Sequence, residues 1–391
     1  MKIAIYSGSI PSTTFIENLI EGVAQEHQVF LFGVVDKMPS YKYKQITVYG
    51  TPKSFLLNFF VSLYRTLLLL IRHPRRLIIL IQEIRPYNSF YLKWTHYSRF
   101  LPVVLHLPDL FHIQWAKDLD SWFFLKEYLG VKIVLSLRGA HINYSPIADK
   151  QLAMTYKKLF PKVDAFHAVS EAIATEAQKY GASGDRIKVI HSPILMETFS
   201  RFRLPKKSTN TTINLVSVGR FHWKKGYTYA INAVKQLVDK GLNIEYTIIA
   251  SNTIDEAILF QIDQLELRKH VHVLSGLSQK ELFNKMQSYD VLVLPSLEEG
   301  IANVVLEAMA LGIPVISTSC GGMAEVVMPG KTGWLVPVRD PQAIADAIVA
   351  ISETSESELQ HITQNAHEFV KVHFNAEDSI QQFVALYAGL F

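Results

Sequence analysis

The chain opens with an apolar run from Lys2 to Tyr6, breaks at SGSIPST, shows helical spacing of apolar residues from Phe15 to Gln25, and returns to an apolar run from Gln28 to Phe32. This pattern predicts strand, loop, helix and strand. The alternation begins afresh at INLVSVGR, where Ile213 to Val218 reads as a strand ended by Gly219. Further strands are predicted at Ile244 to Ala250, Val271 to Leu274, Val291 to Leu294 and Pro314 to Ser317, with helical patterns between them. Pro341 to Phe391 holds three helical patterns, broken near Glu353 and Asn375. Strands divided by helices of this length imply parallel sheets covered on both faces, hence α/β architecture in two doubly wound, Rossmann-like domains facing across a cleft. The polar stretch RLPKKSTNTT sets the boundary near residues 205 to 211. The domains expected are 1–205 and 212–372, with a last helix over 373–391 packing back towards the first.

Composition narrows the class. Of 391 residues, 49% are hydrophobic and 19% charged, which excludes a disordered chain and is enough for two cores. The net charge of +4 is not gathered into long basic blocks, so nucleic acid is not an expected partner. Cys320, the one cysteine, cannot form an internal disulfide, and MKIAIYSGSI lacks the pattern of a signal peptide. A cytoplasmic location is expected. The most apolar stretch, FLLNFFVSLYRTLLLLI at 55–71, is interrupted by Asn58, Ser62, Arg65 and Thr66 before a full membrane span is reached. Followed by Arg72, Arg75 and Arg76, it has two readings: a surface resting peripherally on anionic lipid, or a buried helical hairpin.

The most specific chemistry lies in LPSLEEGIANVVLEAMALGIPVIST, from Leu294 to Thr318. Pro295 stops a strand, Gly300 allows a tight turn, and Asn303 to Leu311 has helical composition. Glu299 therefore falls in a loop and Glu307 in the helix, where both can face a ligand held at the helix's amino end. A carboxylate accepts two vicinal hydroxyl donors. In SVGRFHWKKG a strand ends in Gly219, and Arg220 and Lys225 follow. Two cations at a strand's carboxyl end suit a diphosphate, the guanidinium forking two oxygens and the ammonium acting as a point charge. Taken singly, each of these side chains also reads as a dipole-compensating or solvated charge.

These motifs resemble the family 4 glycosyltransferases, retaining enzymes of the GT-B fold. The resemblance rests on VSVGRFHWKKG, LPSLEEGIANVVLEAMALGIPVIST, GGMAEVV and GKTGWLVP in order, with weaker echoes in PSTTFIENLI, PDLFHIQWA, LSLRGAHI and DAFHAVSEAI. It implies that 1–205 is the acceptor side and 212–372 binds a nucleotide-sugar donor. It makes Arg220 and Lys225 the diphosphate ligands, Glu299 the holder of sugar hydroxyls and Glu307 the partner of the ribose. Backbone amides at Ile301, Ala302, Asn303 and Val304 would meet the sugar or phosphate, and Gly8 and Ser9 would line an amino-terminal loop facing it. Many relatives carry a histidine-glycine pair where this chain has Arg138 and Gly139, and an acidic residue where it has His141, so Arg138 and His141 are acceptor-side candidates. The glycine-rich turn usual after the Ile248-Ile249 strand is ASNTID here.

The resemblance further implies sugar transfer with retention to a glycan or lipid-linked acceptor in cell-surface polysaccharide synthesis, with the leaving diphosphate itself taking the acceptor proton. No cofactor or metal is expected: the fourteen histidines are dispersed, and HVH at His270 to His272 reads as a strand edge. Competing classes are a GT-B-like sugar-nucleotide epimerase or phosphorylase, and a non-catalytic membrane-associated scaffold.

Overall fold

The computed structural model describes residues 1–206 and 212–391. The core of the anticipated domain boundary, residues 207–211, lies outside the described residues. The chain divides into two compact units: Met1–Val169 with Ala174–Ile190 and Glu377–Phe391, and Ser170–Ile173 with His191–Ala376.

The first unit is built on a parallel sheet of β1 (Lys2–Ile10), β2 (Gln28–Val35), β3 (Ile46–Val48), β4 (Thr51–Pro52), β5 (Leu110–Ile113), β6 (Lys132–Leu137), β7 (Ala165–Ala168) and β8 (Ile187–Val189). Its order is β3-β2-β1-β5-β6-β7-β8, with β4 also paired to β2. The direction in which successive strands are added thus reverses between β1 and β5. β1 is longer than its apolar run. A register shift against β2 between Tyr6 and Gly8, with Gly8 at φ +90°, carries pairing on to Ile10. Gly8 and Ser9 are therefore strand residues rather than the loop expected from SGSIPST. Phe383 and Tyr387 of the last helix, Ala376–Ala388, are buried in this unit's core beside Ile3, Val134 and Ala165. The Tyr387 hydroxyl lies 2.7 Å from His112 Nδ1.

Helix Phe55–Arg72 is not a buried hairpin element. Only Ser62 and Leu69 of its 18 residues are buried, while Phe55, Leu56, Phe60, Leu63, Tyr64, Leu67 and Ile71 stand exposed. Its polar interruptions face inward and its apolar residues face outward, the reverse of the usual surface helix.

The second unit holds β9 (Thr212–Val218), β10 (Asn243–Ala250), β11 (Val271–Ser275), β12 (Val291–Leu294), β13 (Val315–Thr318) and β14 (Trp334–Val336) in the order β11-β10-β9-β12-β13-β14. All pairs are parallel. The predicted strands lie where the apolar runs placed them, and β14 is added from GKTGWLVP. Residues from His191 onward belong here, ahead of the anticipated boundary at 205. Ile194 and Phe199 enter a core with Leu306, Met309 and Val370, and Gln287 donates to the Arg201 carbonyl at 2.6 Å. Helix Asn303–Leu311 is buried almost all round, with Val305, Leu306, Ala308 and Met309 fully shielded. It closes at Gly312, φ +85°.

Met309 is the most telling packing position, because its whole side chain fills core beneath the helix that carries Glu307. Met309→Ala is expected to destabilise the second unit by about 2–5 kcal/mol, read as a lowered urea midpoint for that unit.

Candidate functional site

In the second unit the strand order reverses between β9 and β12, and the loops following these two strands lie side by side at their carboxyl ends. Ligands of doubly wound sheets bind at such a switch point. The loop after β9 carries Arg220, Lys224 and Lys225, and the loop after β12 carries Ser296 and Glu299.

The two loops are fastened to each other through backbone. Leu297 N–H donates to the Lys224 carbonyl at 2.6 Å. Gly226 adopts φ +62°, and a Cβ there would stand 2.1 Å from the Pro295 carbonyl oxygen, so only glycine permits the approach. From the β13 side, Gly322 N–H donates to Gly300 O at 2.7 Å, and Thr318 Oγ1 donates to the Ser296 carbonyl. The far side of the β9 loop is held by Asn252, which accepts from Phe221 N–H at 2.7 Å and donates to Phe221 O at 3.1 Å. This side chain is the Asn of ASNTID, the segment that departs from the glycine-rich pattern.

Within this frame Lys225 and Glu299 meet directly. Lys225 Nζ is 2.6 Å from Glu299 Oε1, Lys224 Nζ is 3.4 Å from Oε2, and Ser296 Oγ donates to Oε1 at 3.0 Å. The Glu299 side chain is 9% exposed, so its charge is screened by protein rather than water. Burial by itself would raise its carboxyl, but Lys225, Lys224 and the two hydrogen bonds outweigh this and hold it below the usual carboxylate range. Lys224 was invisible to motif reasoning. The doubled lysine of WKKG was its only signal, and it reads as a solvated loop charge until the fold turns it inward.

Arg220 is exposed at the end of β9 and has no ion pair among the described residues. Its charge is nonetheless part of the cluster. Burial first, then Lys224, Arg220 and Lys225, draw the His222 imidazolium below its ordinary range. The helix that starts at Asn303 has no side-chain cap. Ala302 N–H is turned to Met323 Sδ at 3.3 Å and is not open to a ligand. The amides of Asn303 and Val304 have no partner among the described residues, which leaves the positive end of the helix dipole uncompensated. Ile301 is half-buried, Asn303 is exposed and Val304 is buried.

Glu307 sits one turn further into the same helix, half-buried, with Gln279 hydrogen-bonded to it. Burial pushes its carboxyl up to about 7, against a small opposing contribution from Gln279. The two carboxylates thus sit in opposite environments, one between two cations and one with no ion pair among the described residues.

The remaining candidates belong to the first unit. Arg138 follows β6, donates to Gln114 Oε1 at 3.1 Å and lies 4.4 Å over the Phe15 ring. Burial pulls its guanidinium down to about 10. His141, in the short helix Ala140–Asn143, packs edge-on to Trp115 at 5.7 Å, and Trp115 Nε1 donates to Ser7 O, next to Gly8, at 3.1 Å. Burial, then Lys117, lowers the His141 pKa. Arg138 Nε and His141 Nδ1 are buried without a hydrogen-bond partner among the described residues. Gly8, Arg138 and His141 therefore gather at the carboxyl ends of β1, β5 and β6, with Ser9 exposed beyond them.

Residues 12–197 match the family described as Glycosyltransferase Family 4, and residues 198–369 match Glycosyl transferases group 1. The chain is 32% identical over 271 residues to the putative colanic acid biosynthesis glycosyltransferase WcaL of Escherichia coli K12, covering 67% of this chain and 66% of that one. It is 27% identical to the amylovoran biosynthesis glycosyltransferase AmsK of Erwinia amylovora, over 71% of this chain and 69% of that one. The match thus spans about two thirds of these relatives' length. Among solved structures, sucrose-phosphate synthase from Thermosynechococcus elongatus superposes with a TM-score of 0.77 at 17% identity, covering 100% of this chain and 99% of that one. The Anabaena protein HepE in complex with UDP-glucose gives 0.71 at 17% identity, covering 100% of both. Two doubly wound units of this kind are the GT-B fold, and with both halves matched the chain belongs to glycosyltransferase family 4.

Proposed function

We propose that the second unit binds a nucleotide-diphosphate sugar at the β9–β12 switch point. The protein then moves the sugar, a hexose, with retention to a glycan or lipid-linked acceptor, in the cytoplasm, as a step of cell-surface polysaccharide synthesis. The observation that carries this reading is Glu299 held between Lys224 and Lys225, with Arg220 exposed on the same loop as the lysines and the amides of Asn303 and Val304 unpartnered among the described residues. Two relatives named for colanic acid and amylovoran synthesis, and a fold neighbour in complex with UDP-glucose, favour the same class.

The chemistry follows from where charge develops. As the bond between the anomeric carbon and the donor oxygen breaks, the electron pair stays on the diphosphate, and the acceptor hydroxyl oxygen bonds the same face of the sugar. The acceptor's proton passes to the departing phosphate oxygen. Arg220 and the lysines stabilise that diphosphate as its charge grows, with the helix amides adding fixed positive ends. Phosphate competes with Glu299 for the lysines, and the released carboxylate then accepts hydrogen bonds from sugar hydroxyls. Glu307 accepts from the ribose, and most strongly when ionised. Arg138 and His141, with unsatisfied buried nitrogens, are the acceptor-side contacts of the same reading.

Thermal-shift titration with UDP-, GDP- and ADP-sugars is expected to find one donor that stabilises the protein, by about 2.7 kcal/mol at 100 times its dissociation constant. Stabilisation by none of them sinks the proposal, and epimerised donor without acceptor replaces transfer with epimerisation. Arg220→Ala is the cleanest test of the site, since the side chain is exposed and has no ion pair among the described residues to lose. A fall in turnover of about 100- to 1,000-fold without a change in melting temperature is expected, whereas unchanged transfer in Arg220→Ala and Glu307→Ala favours a scaffold. NMR of the product should show the donor's anomeric configuration kept.

Glu307 gives a pH test. Between 4.5 and about 7 the folded state holds a proton that the unfolded state has released, so stability falls as pH rises through this window and levels off above it. Glu307→Gln should therefore be more stable than the native chain near pH 8 by on the order of 1–3 kcal/mol, the gap closing at low pH in urea titrations. Donor affinity of the native protein should rise across the same window.

A further inference from the structure

Helix Phe55–Arg72 places a sheet of apolar side chains on the outside of the first unit. Leu56, Phe60, Leu63, Leu67 and Ile71 recur at helical spacing along its outer face, each at least half exposed, and Ile71 reaches 78%. The surface widens through neighbouring helices. Ile78 and Ile81 of helix Pro74–Ile84 are exposed, as are Phe90 and Tyr91 at the start of helix Phe90–Leu105. Phe55 and Phe59 lie 6.0 Å from the Trp94 ring, one turn beyond Phe90 and Tyr91, so the patch is continuous. Soluble surfaces seldom leave so many large apolar residues together in water.

The opposite side of the helix explains its orientation. Asn58, Ser62, Arg65, Thr66 and Leu69 share the inward stripe. Ser62 Oγ donates to Asn58 Oδ1 at 3.1 Å, Arg65 Nη2 to Gly50 O at 3.0 Å, and Thr66 Oγ1 lies 2.6 Å from the Tyr97 hydroxyl. By length and mean hydropathy, 1.6 over 18 residues, the helix is apolar enough to cross a membrane. A crossing would tear these bonds and place Arg65 in hydrocarbon, while lying in the plane of an interface keeps them.

Charge selects the partner. Between residues 53 and 108 there are eight Lys and Arg against the single acid Glu83, a net +7 in a chain whose total is +4. Of these Arg72, Arg75 and Arg85 are exposed and have no acidic partner among the described residues. Aromatic and leucine side chains on one face with arginines at the rim match an anionic bilayer surface.

We propose that this face docks in the plane of an anionic lipid bilayer, apolar side chains entering the headgroup boundary and the arginines pairing with lipid phosphates. The inference stands apart from the donor site, since it needs no nucleotide. The test is co-sedimentation of the full chain with phosphatidylcholine vesicles, with and without phosphatidylglycerol. Binding is expected only with the anionic lipid and should weaken as salt is raised. Arg72→Ala with Arg75→Ala should weaken it about fivefold per residue, and Leu63→Glu with Leu67→Glu at least about tenfold. Both pairs are exposed, so melting temperature should not move. Equal sedimentation with neutral and anionic vesicles, or native binding by the leucine variant, overturns the proposal. So does a dimer in sedimentation velocity that the leucine variant dissolves while vesicles go unbound.

Discussion

A buried carboxylate costs several kcal/mol unless its charge is met inside the protein, and Glu299 is met twice, by Lys225 and Lys224. Much of the second unit's local architecture serves that one requirement. For both lysines to reach inward, the loop after β9 must lie against the loop after β12, which needs the Gly226 approach to Pro295 and the Leu297 bond to Lys224. On the reading proposed above, a diphosphate would compete for the two lysines, and the carboxylate they leave would take hydrogen bonds from sugar hydroxyls in their place.

The second carboxylate works by the opposite logic. Glu307 has no ion pair among the described residues, and burial raises it to about 7. A half-buried carboxyl poised there is largely neutral below that pH and becomes a strong acceptor once ionised. Two acids eight positions apart thus sit in opposite electrostatic settings. Neither setting could be read from the glutamates alone, since both depend on what the adjacent strands deliver.

The fold was legible wherever burial on both sheet faces wrote continuous apolar runs. β9, β10, β12 and β13 lie within a residue or so of their predicted bounds. β14 escaped because three residues between glycine and proline carry too little periodicity, and β1 ran past its apolar stretch because Gly8 extends pairing through backbone rather than side-chain pattern. At the site, Arg220, Lys225, Glu299 and Glu307 were named by motif, and Lys225 and Glu299 meet in space. Lys224, Asn252 and Gln279 were not named. Their contribution is made by side-chain bonds to segments distant in sequence, Lys224 to Glu299, Asn252 to Phe221 and Gln279 to Glu307, and a polar residue carries no signal of the distant partner to which it will be tied.

Helix Phe55–Arg72 shows the same limit from another side. Its sequence carries a plain two-faced pattern, and the usual rule sends the apolar face inward because burial there outweighs the loss of water by a few polar groups. Here the polar stripe meets the Gly50 carbonyl and the Tyr97 hydroxyl on the protein side, and these bonds offset part of its desolvation. The outward apolar face has no such compensation in water. Periodicity fixes that a helix has two faces, but which of them turns in is decided by the partners that the rest of the chain presents, and those lie far away in sequence.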